Sequence, residues 1–143
     1  MSDKHICLII PPSPFLLNER VFISLGVLRV AAVLRQEGYD VEVLDLCGVK
    51  NTEDVLGTYA RLLGRNTTFG ITATTPQLPS SIKIRNAIRK SLPDSKIILG
   101  GPHPCCSPSS IFQFFPQVDW AFKGEGEVGL AKLLDLIVTD GII

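Results

Sequence analysis

Five short apolar runs, separated by longer segments with helical periodicity, are the feature that most constrains the fold of this chain. The runs are "HICLII", "DVEVLD", "TFGITA", "KIILG" and "VDWAFK", beginning at residues 5, 40, 68, 96 and 118. They are rich in β-branched residues and largely continuous rather than alternating, which is typical of strands buried on both faces of a parallel sheet. The pattern therefore predicts five parallel strands joined by helices.

The segments between the runs carry recognisable helix ends. We predict helices over Ser24–Glu37, Thr52–Leu63 and Ser80–Leu92, stopped by Gly38, Gly64 and Pro93, a short helix capped by Ser107, and a last helix from about Glu125 to Val138. Repeated strand–helix–strand units are right-handed. They predict a doubly wound α/β domain of three layers, flavodoxin-like (Rossmann-like), with five strands in the order 2-1-3-4-5.

Length and charge limit the classes of protein. With 143 residues the chain fits one domain, and its 14 basic and 14 acidic residues give a formal net charge of zero, which argues against a nucleic-acid partner. Its apolar runs are shorter than the roughly 20 residues of a membrane span. The beginning "MSDKHICLII" lacks the features of a secretory signal, so we expect a cytoplasmic protein without a membrane span.

Metal-ligand residue types are concentrated in the stretch "ILGGPHPCC", residues 98–106, which contains His103, Cys105 and Cys106. Adjacent cysteines rarely both face one ion in a tetrahedral site. The other histidine, His5, opens the first strand and would lie at the opposite edge of the sheet. We therefore expect no metal site; a thiol enzyme that uses Cys105 stays as an alternative hypothesis.

The stretch "GEGEVG", from Gly124 to Gly129, has the spacing of a dinucleotide-binding loop. Such loops follow the first strand of their fold and need an acidic residue about 20 positions later. Here the stretch follows the last strand and the sequence ends before that position. We interpret its glycines as a tight turn and its carboxylates as favourable charges in the first turn of a helix.

The loop after the first strand, "PPSPFLLNERVFIS", is proline-rich and apolar. A flavin-phosphate loop would instead be rich in serine, threonine and glycine. The loop is also longer than the connections of about 2 to 6 residues that are usual in α/β units. This composition indicates a loop that covers a large apolar ligand or packs on another domain.

Taken together, "LIIPPSP", "SLGVLRVAAVLRQEGYDVEVLD", "GITATTPQ", "KIILGGPH" and "FKGEGE" run in order over nearly the whole chain. The sequence resembles, in these features, the cobalamin-binding (B12-binding) domain at the N-terminus of B12-dependent radical S-adenosylmethionine (SAM) proteins. That group includes proteins of the anaerobic magnesium-protoporphyrin IX monomethyl ester cyclase type.

The resemblance implies that cobalamin lies across the carboxyl edge of the sheet, with its nucleotide tail in a slot beside the strands. Glycines would make room for the tail, and threonine hydroxyls would bond its polar groups. The implied cofactor-binding residues are Pro12, Thr72, Thr74, Thr75, Gly100, Gly101, Pro102, His103, Gly124, Glu125 and Gly126. No catalytic residue is expected in this chain.

The resemblance also limits how cobalt is held. Cobalamin mutases and methionine synthase supply a histidine from a D-x-H-x-x-G motif after the first strand, whereas the "DKHICL" of this chain precedes that strand and lacks the glycine. Radical SAM relatives commonly lack this motif. We therefore expect cobalamin bound base-off, without a histidine on cobalt, and His103 in contact with the ligand or the loop.

The resemblance finally implies a partner. A radical SAM domain binds its [4Fe-4S] cluster through C-x-x-x-C-x-x-C, which this sequence lacks. We expect residues 1–143 to be a cobalamin-binding domain, the N-terminal part of a longer protein that also uses SAM and a [4Fe-4S] cluster for methyl transfer or radical chemistry on a small molecule. Alone, the chain would bind the cofactor without catalysis. The alternative is a non-catalytic docking domain with an empty slot.

Overall fold

Strands and helices alternate along the part of the chain that the computed structural model describes, residues 4–13, 24–72, 74–101, 120–121 and 126–140. The elements in chain order are β1 (His5–Ile10), α1 (Leu25–Gln36), β2 (Asp40–Asp45), α2 (Thr52–Leu63), β3 (Thr68–Thr72), α3 (Leu78–Ser91), β4 (Lys96–Gly100), β5 (Trp120–Ala121) and α4 (Gly126–Asp140). A 3-10 turn, Thr75–Gln77, leads into α3.

The strands pair in parallel in the order β2-β1-β3-β4-β5. The predicted α/β class and parallel sheet are confirmed, and the four strands of five or six residues lie in the predicted order. The two residues of β5 pair with Ile98 and Leu99 at the edge. The rest of the run that predicted the fifth strand lies outside the described residues.

Each face of the sheet is covered by one pair of helices, which gives the predicted three layers. Helices α2 and α3 pack together over one face, and the strand residues buried there include Cys7, Ile9, Phe69, Ile71, Ile97 and Leu99. Helices α1 and α4 pack together over the other, where the buried strand residues are Ile6, Leu8, Ile10, Val41 and Ile98. Alternate residues of one strand therefore belong to different cores.

The first three helices end within one residue of the predicted positions, the last helix ends at Asp140 instead of Val138, and one helix begins earlier than predicted. Gly38 and Gly64 follow α1 and α2 with φ of 90° and 66°, the left-handed conformation that glycine adopts without strain. Helix α3 begins at Leu78 instead of Ser80, because the 3-10 turn runs directly into it and Pro79 fits a first helical turn. The helix predicted at Ser107 lies outside the described residues.

Candidate functional site

The carboxyl ends of the strands meet at one edge of the sheet, and neighbouring β1 and β3 mark its topological switch point. From β1 the chain continues to β2 on one side, and from β3 to β4 on the other. Loops that diverge in this way leave a crevice between them, which is where ligands bind in open α/β sheets. The described residues after β1, Pro11 to Ser13, are buried at this crevice.

Gln77 joins the two loops that flank the switch point. Its Nε2 donates to the Pro11 carbonyl at 3.2 Å and to Ser13 Oγ at 2.8 Å, both after β1. Its Oε1 accepts from the Thr74 amide and the Thr74 hydroxyl after β3, each at 3.1 Å. The side chain therefore crosses the crevice and is held on both sides.

The Pro11 carbonyl is also held from the side of β2. The Cys47 thiol donates to it over 3.7 Å, and the Leu46 amide bonds the Ile10 carbonyl at 3.0 Å. The start of the loop after β1 is thus fixed by groups from both neighbouring strands.

A strip of small residues leads to this edge along the α1/α4 face of the sheet. On that face β3 presents Thr68, Gly70 and Thr72, each partly exposed although β3 is a central strand. Gly100 is the partner of Thr72 on β4, and apart from its chain neighbours no atom of the described residues lies within 4 Å of the position that its Cβ would take. The α1/α4 layer therefore leaves open space beside the carboxyl ends of β3 and β4.

Most of the described residues predicted to bind the cofactor converge at this edge. Pro12 is buried after β1, Thr72 ends β3, Gly100 ends β4, and Gly101 follows with φ of 97°. Thr74 follows β3 and donates its hydroxyl to Gln77 Oε1, and its contact with a ligand stays a prediction.

The remaining predicted residues divide into two groups. Thr75 opens the 3-10 turn and Gly126 is the first residue of α4. Pro102, His103, Gly124 and Glu125 lie outside the described residues.

His5 lies at the amino edge of the sheet, as expected, and is engaged there. Its imidazole is 4% exposed, with Nδ1 2.7 Å from Thr67 Oγ1 and Nε2 3.1 Å from Glu42 Oε1. Within the described part of the chain, no group of three or more His, Cys, Asp or Glu side chains could hold a metal ion. His103, Cys105 and Cys106 lie outside it.

The two described cysteines behave as packing residues. Cys7 is fully buried, and burial raises the pKa of its thiol from 9.0 to about 12, so that it stays protonated and unreactive at neutral pH. Cys47 is partly buried against the α1/α4 core, and its thiol donates to the Pro11 carbonyl. Cys7 therefore supplies no activated nucleophile.

Comparison with known proteins decides the family. Residues 19–134 match the family described as B12 binding domain, which is most of the chain. The chain belongs to the B12-binding domain family. Among curated relatives, the B12-binding domain is 29% identical to the anaerobic magnesium-protoporphyrin IX monomethyl ester cyclase of Synechocystis over 96% of this chain and 30% of that protein. It is 32% identical to the cobalamin-dependent radical SAM methyltransferase TokK of Streptomyces tokunonensis over 41% of this chain and 9% of TokK.

Solved structures share the fold of the B12-binding domain. The radical SAM methyltransferase TsrM from Kitasatospora setae, with cobalamin and a [4Fe-4S] cluster bound, has a TM-score of 0.80 at 23% identity over 98% of this chain and 25% of that chain. The radical SAM enzyme OxsB with aqua-cobalamin has a TM-score of 0.77 at 18% identity over 96% of this chain and 19% of that chain. At these identities the likeness shows the fold.

The family assignment confirms the predicted resemblance and names cobalamin as the family's cofactor. The B12-binding domain spans less than a third of the length of the relatives described above. Among the described residues, none of the helices has the length and apolar character that a membrane span requires.

The residues of this edge fit a large cofactor with a narrow extension. A Cβ on Gly100 would meet no heavy atom of the described residues within 4 Å, so among these residues the glycine leaves unfilled space at the end of β4. Thr68 and Thr72, partly exposed beside that space, carry hydroxyls that can donate or accept hydrogen bonds. Such a strip suits an amide- and phosphate-bearing tail better than it suits a packed core.

Sequence reasoning missed two residues of this region. Gly70 lay inside a predicted strand, where the general rule that an interior glycine marks a close approach would have singled it out. Gln77 stands at the end of the run "GITATTPQ". The partners of its Nε2 lie 64 and 66 positions earlier in the chain, and no local pattern indicates a bond of that range.

Proposed function

We propose that the B12-binding domain holds cobalamin base-off across the carboxyl ends of β1, β3 and β4, with no histidine on cobalt, and presents it to a radical SAM domain. Residues 1–143 would form the N-terminal part of that longer protein, which would use SAM and a [4Fe-4S] cluster for methyl transfer or radical chemistry. The observation that carries the proposal is the strip of small residues beside the switch point, in a chain of this family. The cytoplasmic location stays a prediction.

The placement of the nucleotide tail rests on the α1/α4 face. Thr68, Gly70 and Thr72 on β3 and Gly100 on β4 form a partly exposed strip between bulky neighbours such as Leu8 and Ile98. A tail laid along this strip would meet hydroxyls and glycines and would become the packing partner that β3 lacks there. Pro102, His103, Gly124 and Glu125 are proposed to complete the site.

The absence of a histidine on cobalt is supported by the position of His5. Cobalt would lie outside the carboxyl edge, whereas His5 begins β1 at the amino edge and is bonded to Thr67 and Glu42. It therefore cannot reach the metal without unfolding the strand. Among the described residues at the carboxyl edge, Pro12, Thr72, Thr74, Gly100 and Gly101 provide no imidazole.

The decisive experiment compares leucine substitutions at two glycines. The test position is Gly100, which has open space at its Cβ position among the described residues and no positive φ, so Gly100→Leu fills the strip without backbone strain. Gly101 is left unchanged, because its φ of 97° would strain any side chain. Gly57→Leu is the matched control, because Gly57 on α2 has equal space on the opposite face. Both variants should fold, as measured by circular dichroism and thermal unfolding.

Hydroxocobalamin retention is then measured by ultrafiltration and absorbance. We expect wild type and Gly57→Leu to retain the corrinoid and Gly100→Leu to lose it. No retention by wild type, or equal retention by both variants, would contradict the proposal. Partner binding that persists in a wild-type protein without corrinoid affinity would favour the docking alternative.

A further inference from the structure

We infer that Gln77 is a positioning residue that sets the distance between the loops after β1 and β3, and thereby the shape of the cobalamin site. This inference rests on the proposed function and adds a residue that the family resemblance did not include. The crevice that Gln77 crosses is the switch point of the sheet, where a change in loop spacing would alter the seat of any ligand.

The hydrogen bonds of Gln77 are complete within the protein. A carboxamide offers two N–H donors and two acceptor lone pairs. Nε2 uses both donors on Pro11 and Ser13, and Oε1 receives two bonds from Thr74. The residue is 8% exposed, so these four bonds replace the water that its amide would otherwise bind. A buried amide whose hydrogen bonds reach both loops keeps the loops after β1 and β3 at a fixed separation.

Gln77 serves the start of its own helix only through Oε1, which accepts from the Thr74 amide three residues earlier, as in a capping box at the 3-10 turn that leads into α3. Its Nε2 is directed instead to the loop after β1. The Gln77 carbonyl accepts from Ser81 Oγ at 3.1 Å, which fixes the backbone from which the side chain extends. Helix α3 therefore provides a rigid base, and the side chain is directed to the loops.

Removing the carboxamide should loosen the two loops without dismantling the core. In Gln77→Met, a variant of similar length, the Thr74 amide loses its acceptor and Ser13 loses a donor. The cofactor would then have to order both loops when it binds. The free energy of one lost hydrogen bond corresponds to about a tenfold change in an equilibrium constant. We therefore expect hydroxocobalamin affinity to fall about tenfold or more.

The experiment uses the whole chain, four single variants, and a double-mutant cycle that adds Ser13→Ala. Gln77→Met removes both halves of the bridge, whereas Gln77→Glu keeps acceptors for Thr74 and loses the donor to Pro11. Gln36→Met is the matched control at an exposed glutamine in the last turn of α1. Ile88→Val, in the buried face of α3, controls for general loss of stability. For each, hydroxocobalamin affinity and thermal unfolding are measured, together with amide hydrogen exchange at Thr74 in the ligand-free protein.

We expect both Gln77 variants to bind hydroxocobalamin more weakly than Ile88→Val at equal loss of thermal stability, with faster exchange at Thr74 only in Gln77→Met. Ser13→Ala combined with Gln77→Met should weaken binding by less than the product of the two single effects. Wild-type affinity in Gln77→Met, or a loss no larger than that of Ile88→Val, would overturn the inference while leaving the proposed function intact. A wild-type chain that retains no hydroxocobalamin would instead contradict the proposed function itself.

Discussion

Leu8 occupies the space that a side chain on Gly70 would need. The two residues are directly paired on β1 and β3, and a Cβ on Gly70 would lie 2.9 Å from Leu8 Cδ2, well inside the separation of packed carbon atoms. Glycine at this position therefore allows Leu8 to fill the α1/α4 core, and no side chain projects from β3 there.

Gly70→Ala should test whether the nucleotide tail lies against β3 at Gly70. Leu8 must move toward the open strip, so we expect a loss of about 1 kcal/mol in the free energy of unfolding. Affinity for hydroxocobalamin should fall, whereas affinity for dicyanocobinamide, which has no nucleotide tail, should hardly change. Gly26→Ala, at an exposed α1 glycine with nothing within 4 Å, is the control. Equal losses for the two corrinoids would contradict a tail beside Gly70.

His5→Ala should lower stability and leave the cobalt environment unchanged. The buried imidazole is bonded to Thr67 and Glu42, and removing it leaves the Thr67 hydroxyl without that partner, at a cost of about 1–3 kcal/mol. In electron paramagnetic resonance of bound cob(II)alamin, we expect no splitting from a nitrogen ligand in wild type, His5→Ala or His103→Ala. A nitrogen splitting that disappears in either variant would show that histidine binds cobalt.

Tyr39→Phe should weaken the contact between α4 and the start of β2. The Tyr39 hydroxyl donates to Asp135 Oδ1 at 2.5 Å, and Tyr39 is 5% exposed. Burial and the nearby carboxylate both raise the pKa of this phenol, so it remains a donor at neutral pH. We expect a loss of about 1 kcal/mol in urea unfolding.

Tyr59→Phe provides the control for that measurement. The Tyr59 hydroxyl is buried near Cys7 and Glu42 without a well-aligned hydrogen bond to the described residues, while its ring packs edge-to-face on Phe69 at 6.3 Å. Removing this hydroxyl should cost less than removing that of Tyr39. The opposite order would show that the Tyr39–Asp135 bond contributes little.

Cys7 should make the fold less stable in alkali. Its thiol has a pKa of about 12 in the folded protein because burial disfavours the thiolate, against an ordinary value of 9.0. Above pH 9.0 the unfolded chain loses this proton first, so the stability contributed by the neutral thiol is full below that pH and declines as pH rises toward 12.

The slope of the free energy of unfolding against pH shows whether Cys7 causes this decline. Cys7 should contribute up to about 1.4 kcal/mol per pH unit above its ordinary pKa, measured by urea unfolding in reducing buffer. Cys7→Ala should be less stable at pH 7 but lose stability more slowly between pH 9 and 10. Parallel curves for the two proteins would show that Cys7 does not stay neutral in the fold.

The features of this structure that could be predicted are those that depend on a residue and its neighbours in sequence. Gly38, Gly64 and Pro93 mark helix ends through backbone rules that act on a residue and its neighbours, and the continuous apolar runs mark strands buried on both faces. The position of the candidate site could be predicted from the topology, because parallel strands bring their carboxyl ends to one edge.

The unpredictable part depends on contacts between distant residues. Arg85 lies among the basic residues of α3, a residue type that is mostly exposed, yet it is 8% exposed, and burial lowers the pKa of its guanidinium. Its Nη2 donates to Asn86 Oδ1 at 2.7 Å. Gln77 likewise acquires its role only when the loops after β1 and β3 are brought together, which no window of the sequence around it contains.

The bridge made by Gln77 consists only of uncharged groups: a carboxamide, two hydroxyls, one amide and one carbonyl. Dissolved salt weakens attractions between exposed charges but has little effect on buried hydrogen bonds between neutral groups. The frame of the crevice should therefore keep the same dimensions from dilute buffer to concentrated electrolyte, even where surface ion pairs of the same molecule dissociate.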